Sequence, residues 1–321
     1  MSAALSGRDL LSIADLRRGE IEALLDVARQ AKSGEDLGSP LQGRNLVLIF
    51  QRPSNRTRVS FEVAINRLGG HPIALFGDEI RLGERETAGD IARILDGYAD
   101  GVIARLVSQR DLVAIAAAVR GPVISAMTDA EHPCQLLADL MTVHETVGRL
   151  AGARVAYIGD GNNVCTSWLY AAAICGIDLR IVCPAGYEPS EAVLDRAAAL
   201  RGNGTGFAVG HDPAPALRDV DIVYTDVWTS MGQEAEQQRR REDFGHLQVN
   251  DALLGLAPDG VRVMHCLPAH RGEEITDAVL DGPRSIVFEQ AENRLWAQMA
   301  LLAMVFDGVP LRAGRAAGVA V

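Results

Sequence analysis

Asn45-Leu-Val-Leu-Ile-Phe50, then Gln51-Arg-Pro-Ser-Asn55, then Arg56-Thr-Arg58, is the stretch whose reading decides the fold. A short, uninterrupted apolar run with β-branched residues predicts a strand buried on both faces; the polar residues and proline end it, and a helical pattern begins near Arg56. Strands buried on both faces belong to parallel sheets covered by helices. Working outward, the same alternation recurs at Pro72–Phe76, Thr87–Ala99, Gly101–Leu106, Leu112–Val119 and Pro122–Ala126, and closes in a helix over Cys134–Val147. A second series runs through Arg154–Ile158, a helix over Asn163–Cys175, Asp178–Cys183, Asp221–Tyr224, Val261–His265 and Ser285–Phe288. The expected fold is therefore α/β, two doubly wound parallel-sheet domains. Residues 1–148 form the first and 149–289 the second, with the boundary at Gly148-Arg-Leu-Ala-Gly152. The Glu289–Phe306 stretch reads as one long helix, so that residues from about 290 to 321 return to the first domain.

A chain of 321 residues matches two domains at roughly 150 residues each. Apolar types are 48% and charged types 23%, which excludes a disordered or fibrous chain. The formal net charge of −11 argues against a nucleic-acid binder with a pervasive basic face, so any anionic ligand must meet a local basic cluster. The longest apolar run, Met299 to Phe306, is too short to span a membrane. The N-terminal residues show no basic region leading into an apolar one, and the five cysteines form no C-x-x-C pair. The expectation is a cytoplasmic protein with free thiols and no metal or other cofactor.

Open parallel sheets bind ligands at the carboxyl ends of their strands. Ser54-Asn-Arg-Thr-Arg58 lies at such an end and opens a helix, where Arg52, Arg56 and Arg58 join free N–H groups and the positive end of the helix dipole. That chemistry suits phosphate, although the Walker pattern G-x-x-x-x-G-K-[S/T] is absent; a capped surface helix with solvated arginines is the bland alternative. Glu131-His-Pro-Cys-Gln135 places an imidazole, a thiol and an amide at another strand end, or merely caps the next helix. Gly159-Asp-Gly-Asn-Asn-Val164 imitates a dinucleotide fingerprint, but Val164 replaces the third glycine and no acid ends the following strand, so the turn is expected to expose Asn162 and Asn163 instead. Asp226 and Ser230 follow a strand of the second series. At His265-Cys-Leu-Pro268, the two first side chains should diverge if the strand continues, which disfavours a metal site. Arg239-Arg240-Arg241 sits among acids and amides and reads as a solvated helix face.

The order and spelling of these segments resemble the carbamoyltransferase family, and its ornithine branch above all. The family's usual phosphate motif is Ser-Thr-Arg-Thr-Arg, with His-Pro-x-Gln as a second landmark; the ornithine branch adds Gly-Asp-Gly-Asn-Asn, Asp-x-x-x-Ser-Met-Gly and His-Cys-Leu-Pro. The likeness runs from about Leu48 to the Glu289–Arg294 stretch. It implies transfer of a carbamoyl group from carbamoyl phosphate to L-ornithine, giving L-citrulline and phosphate in arginine synthesis or degradation. It also implies that Ser54, Asn55, Arg56 and Thr57 hold phosphate, and that Arg105, His132 and Gln135 surround the carbamoyl group. Asn163, Asp226, Ser230 and Met231 match residues that hold ornithine, while Cys266, Leu267 and Arg294 match those near the reacting centre. A homotrimer or a multiple of trimers is implied, with Arg81 on a loop that reaches a neighbour's site, and with domain closure after carbamoyl phosphate binds.

Three departures bear on carbamoyl phosphate affinity: Asn55 where threonine is usual, Gln51-Arg52 where Glu-Lys is frequent, and Arg81 where glutamine or histidine is common. Putrescine or an acylated ornithine is the alternative acceptor, and aspartate fits poorly because the Cys266 segment lacks a basic residue for a second carboxylate.

Overall fold

The computed structural model describes residues 5–202, 206–230 and 232–311, and its chain divides into two compact units. The first takes in the described residues up to Leu137 and those from Arg294 onward; the second is Ala138–Asn293.

In the first unit, α1 (Arg18–Lys32) precedes β1 (Asn45–Phe50), α2 (Asn55–Arg67), β2 (His71–Phe76), the short α3 (Gly77–Ile80), α4 (Ala88–Leu95), β3 (Gly101–Arg105), α5 (Gln109–Ala118) and β4 (Val123–Met127). Its sheet is parallel in the order β2-β1-β3-β4. All residues of β3 and all but Asn45 of β1 are buried, as expected of central strands covered on both faces. Helix α6 (Pro133–Val147) contributes residues to both units.

The second unit continues with β5 (Arg154–Ile158), α7 (Asn163–Cys175), β6 (Asp178–Val182), α8 (Glu191–Leu200), β7 (Phe207–Gly210), α9 (Pro213–Leu217) and β8 (Ile222–Thr225). It ends with α10 (Gln237–Phe244), α11 (Asp251–Leu254), β9 (Arg262–His265), α12 (Asp277–Leu280) and the start of α13 (Val287–Phe306). Its five strands are parallel in the order β7-β6-β5-β8-β9. Tyr157, Trp168 and Tyr224 form an aromatic centre, with Tyr157 stacked on Tyr224 at 5.6 Å and Trp168 edge-on to Tyr224 at 5.2 Å.

The two expected sheets are present, and three details differ from expectation. Ser285–Phe288 is no strand: Ser285 makes one isolated bridge to Val263, its N–H turns back to the Gly282 carbonyl, and α13 begins at Val287. The half-exposed edge strand β7 is not among the expected strands, because its apolar run, Phe207-Ala-Val209, is only three residues long. Arg240 is not solvated but buried on α10.

The last helix returns to the first unit as expected. Residues from Arg294 onward belong to that unit, Trp296 lies under the Arg67 guanidinium, and Gly7 N–H donates to the Val305 carbonyl. Gly101 shows how closely the helix packs: a Cβ at this position would lie 2.7 Å from Phe306 Cζ and 3.1 Å from the Pro122 carbonyl oxygen. Gly101→Ala is therefore expected to destabilise the protein by about 1–3 kcal/mol through overpacking, read as a lower melting temperature. An unchanged melting temperature would mean that Phe306 yields freely, and that the helix is not held against this strand.

Candidate active site

In each sheet the chain switches direction once, between β1 and β3 in the first unit and between β5 and β8 in the second. Loops leaving adjacent strands diverge at such a switch point and open a crevice beyond the carboxyl ends. The residues singled out from the sequence fall largely at these two places.

In the first unit, α2 starts shortly after β1, with Ser54 as its N-cap, whose own side chain makes no capping hydrogen bond. Asn55 and Arg56 open the helix; Thr57 is wholly buried, and its hydroxyl accepts from Nη2 of Arg294 on α13. Arg105 is the buried last residue of β3. His132, 5% exposed, precedes α6, and its carbonyl accepts from the N–H groups of Gln135 and Leu136. The helix-capping alternative thus describes the His132 backbone, whereas its side chain belongs to the cationic cluster. Burial, then the charges of Arg294, Arg105 and Arg56, hold the His132 imidazole well below its ordinary pKa, so it is neutral at physiological pH. The unit brings together three guanidinium groups, a neutral imidazole and the buried amide Gln135.

Two neighbours have other duties. Cys134 donates its thiol proton to the Ser125 carbonyl, and burial pushes its pKa up to about 12, so it packs rather than reacts. Arg81 is exposed at the end of α3 in a left-handed conformation, with φ of 42°. Gln51, which the sequence marks only as a departure from the family, positions backbone: its N–H donates to the Arg105 carbonyl and its Oε1 accepts from Val107 N–H. Those bonds fix the end of β3 beside the segment that leads into Ser54–Arg58.

In the second unit the centre is Asp226, just beyond β8 and 6% exposed. Its Oδ1 accepts from Cys266 Sγ at 2.9 Å and from Val227 N–H at 2.8 Å, and its Oδ2 accepts from Asn162 Nδ2 at 2.8 Å. Burial, then the adjacent Asp226 charge, raises the Cys266 pKa well above the usual thiol value. Cys266 is therefore a protonated donor, not a thiolate. Asn162 is not exposed as expected. It is the N-cap of α7, with Oδ1 accepting from Val164 N–H, Cys165 N–H and Tyr157 OH while its amide turns to Asp226. Asn163 is the first residue of α7 and half-buried, as is Ser230. Met231 lies outside the described residues.

The strand β9 ends at His265, so the alternation expected to separate His265 from Cys266 no longer applies. Ligating atoms of Asp226, His265 and Cys266 lie within 4.8 Å of one another. Both imidazole nitrogens are nevertheless engaged: Nδ1 accepts from Leu267 N–H at 2.8 Å, which leaves Nε2–H to donate to Glu274 Oε1 at 3.0 Å. A metal would have to break one of these bonds. The first bond also steadies Leu267, which sits at φ of 57°, a region unfavourable for a branched residue.

Residues 8–145 match the family model for the carbamoyl-P binding domain of aspartate/ornithine carbamoyltransferase, and residues 151–305 match its Asp/Orn binding domain. The chain belongs to the aspartate/ornithine carbamoyltransferase family. It is 51% identical over 298 residues to an ornithine carbamoyltransferase of Methanosarcina mazei, covering 92% of this chain and 98% of that one. It is 46% identical over 313 residues to the anabolic ornithine carbamoyltransferase of Pyrococcus furiosus, covering 96% of this chain and 99% of the relative. The solved structure of ornithine carbamoyltransferase from Pyrococcus furiosus superposes with a TM-score of 0.90 at 46% identity, over 95% of this chain and 99% of the other.

The His132 environment makes a prediction about stability. A histidine held neutral by the fold stabilises it above the unfolded pKa of 6.5, and that stability is lost as pH falls below it, because only the unfolded chain takes up the proton. Between about pH 7.5 and pH 5.5 the loss should approach 1.4 kcal/mol. Urea midpoints for the wild type and His132→Asn at the two pH values measure it: the variant should lose less, and an equal loss in both proteins would refute the neutral assignment.

Proposed function

We propose that the chain transfers the carbamoyl group of carbamoyl phosphate to the δ-amine of L-ornithine, giving L-citrulline and phosphate. The observation that carries this reading is the first unit's cluster, in which Arg56, Arg105 and Arg294 surround a buried, neutral His132. An acyl phosphate needs cations for its phosphate and hydrogen-bond donors for its carbonyl oxygen. In this reading Ser54, Asn55, Arg56 and Thr57 hold the phosphate at the start of α2, and Arg105, His132 and Gln135 face the carbamoyl group. As the amine attacks, negative charge develops on the carbonyl oxygen and then on the departing phosphate. Preorganised donors and cations stabilise both without reorganisation, which is the main contribution expected for acyl transfer. A neutral imidazole can donate one hydrogen bond to the oxyanion without placing a fourth positive charge among three arginines.

The second unit supplies the acceptor site. We assign Asp226, with Asn163, Ser230 and Met231, to the amino-acid part of ornithine, and Cys266 and Leu267 to the neighbourhood of the reacting amine. Asp226 accepts three hydrogen bonds in the structure, which leaves acceptor capacity for an ammonium. The δ-amine resembles that of lysine, with a pKa near 10.4, so about one molecule in a thousand is neutral near pH 7.4. Selecting that form costs about 4 kcal/mol, which the groups around the reacting amine have to offset.

We place the reaction in the cytoplasm, in keeping with five cysteines that are all free and buried. Among the described residues no helix is long and apolar enough to cross a membrane. Assembly as a homotrimer or a multiple of trimers belongs to the same proposal. In such an assembly Arg81 would serve a neighbouring copy.

Phosphate release from carbamoyl phosphate, compared across ornithine, acetylornithine, putrescine and aspartate, tests the reading directly. Ornithine should be preferred, and release without citrulline formation would sink it. Arg56→Lys should lower turnover severely with little change in melting temperature, since a point charge cannot reproduce a guanidinium's forked contacts. A variant keeping most of the wild-type kcat/KM would remove Arg56 from the site. Asp226→Asn keeps the shape and deletes a charge-assisted partner, so ornithine kcat/KM should fall roughly 10- to 150-fold while carbamoyl phosphate affinity holds. Equal losses toward both substrates, with a lower melting temperature, would instead make Asp226 a brace for its own loop.

A further inference from the structure

We propose that Arg240, seated on Asp160, is a positioning residue that sets the acceptor-holding loop and so the preference for an acceptor bearing α-amino and α-carboxylate groups. The proposal rests on the carbamoyl-transfer reading and deepens it. Arg240 lies on α10 and is 5% exposed, among the few arginines so completely removed from water. Its Nη1 donates to Asp160 Oδ2 and to the Trp228 carbonyl, both at 2.9 Å, and its Nε donates to Glu236 Oε2 at 2.9 Å. The guanidinium also lies over the Tyr187 ring, 5.0 Å from its centroid.

These partners stand at informative places. Trp228 comes two residues after Asp226 and two before Ser230, while Glu236 stands at the far end of the same loop. One side chain thus grips both ends of residues 228–236. Asp160 belongs to the turn after β5, two residues before Asn162, which donates to Asp226. Tyr187, on the segment after β6, accepts through its carbonyl from Gly161 N–H at 2.9 Å. A Cβ on Gly161 would lie 2.4 Å from Pro189 N, so the two segments are in direct contact. Trp228 and Tyr187 both pack on Phe244, which anchors α10 beneath the loop. Arg240 therefore joins three strand-end segments around Asp226 without touching Asp226 itself.

Arginine suits this task because its planar fork satisfies three acceptors in fixed directions; lysine offers one compact charge. Losing the fork would free the loop that carries Ser230 and leave Asp160 with a poorer partner in a buried place. The consequence should fall on acceptor recognition, since the partners of this network among the described residues do not include those assigned to carbamoyl phosphate.

The test uses the full-length enzyme, Arg240→Lys and Glu236→Gln, with steady-state kinetics for both substrates, melting temperatures, and putrescine as an acceptor that lacks the α-groups. Arg240→Lys should raise the ornithine KM roughly 10- to 100-fold, with kcat and the carbamoyl phosphate KM changed by less than about threefold. The ratio of ornithine to putrescine kcat/KM should fall with it. Glu236→Gln should shift the ornithine KM in the same direction by less, at an unchanged melting temperature, because Glu236 is half in solvent. If Arg240→Lys does not fold, Glu236→Gln decides alone. An ornithine KM within about twofold of wild type in the folded variants overturns the proposal. So does a parallel loss with both acceptors and with carbamoyl phosphate, which would mark a merely structural pair. Wild-type protein that makes no citrulline overturns the carbamoyl-transfer reading, a separate outcome.

Discussion

Every strand of both sheets runs parallel to its neighbours, and the placement of chemistry depends on that constraint. A parallel pair cannot be joined by a tight turn, so each strand is followed by a crossover, and all carboxyl ends of a sheet emerge at one edge. Where strand order reverses, the loops part and leave a crevice. Ser54 to Thr57 and Arg105 stand at one such reversal, Asn162 and Asp226 at the other. The polar groups can be dense there because helix N-termini and strand ends offer backbone partners that a packed sheet face does not.

The two clusters solve opposite electrostatic problems. In the first unit, three guanidinium groups and a buried imidazole are crowded together, and the imidazole responds by giving up its proton. Like charges held this way repel one another, and an anion placed among them would relieve that repulsion. In the second unit a buried carboxylate is stabilised by an amide, a backbone N–H and a thiol that burial keeps protonated. Such neutral donors support the charge without cancelling it, which leaves it available to a cation.

Around each cluster sits a layer of side chains that fix the backbone of its members. Gln51 binds the end of β3 to the turn after β1; His265, with Glu274 and Gln290, holds the backbone at Cys266 and Leu267. Arg240 does the same for the loop after Asp226. These residues share one property: the side chain of each bonds to backbone groups of a strand-end segment, so removing one disturbs geometry before it disturbs charge.

Local pattern determined much by itself. Runs such as Asn45–Phe50 and Arg154–Ile158 are apolar because both faces of a central strand are covered, and that leaves a readable signature; the polar segments behind them marked the strand ends. An edge strand such as β7 carries only the three-residue run Phe207-Ala-Val209, and Ser285–Phe288 imitates a strand in passing from a turn to a helix. What only the tertiary structure decided were partnerships across long stretches of chain. Arg294 meets Thr57 from 237 residues away, and Arg240 meets Asp160 from 80. From its neighbours in sequence Arg240 looked like a solvated cation, because periodicity reports which face of an element is apolar. Whether a charged side chain on that element is buried depends on an acid supplied by another strand, and the physical reason is that burial of a charge is a property of the pair and not of either residue.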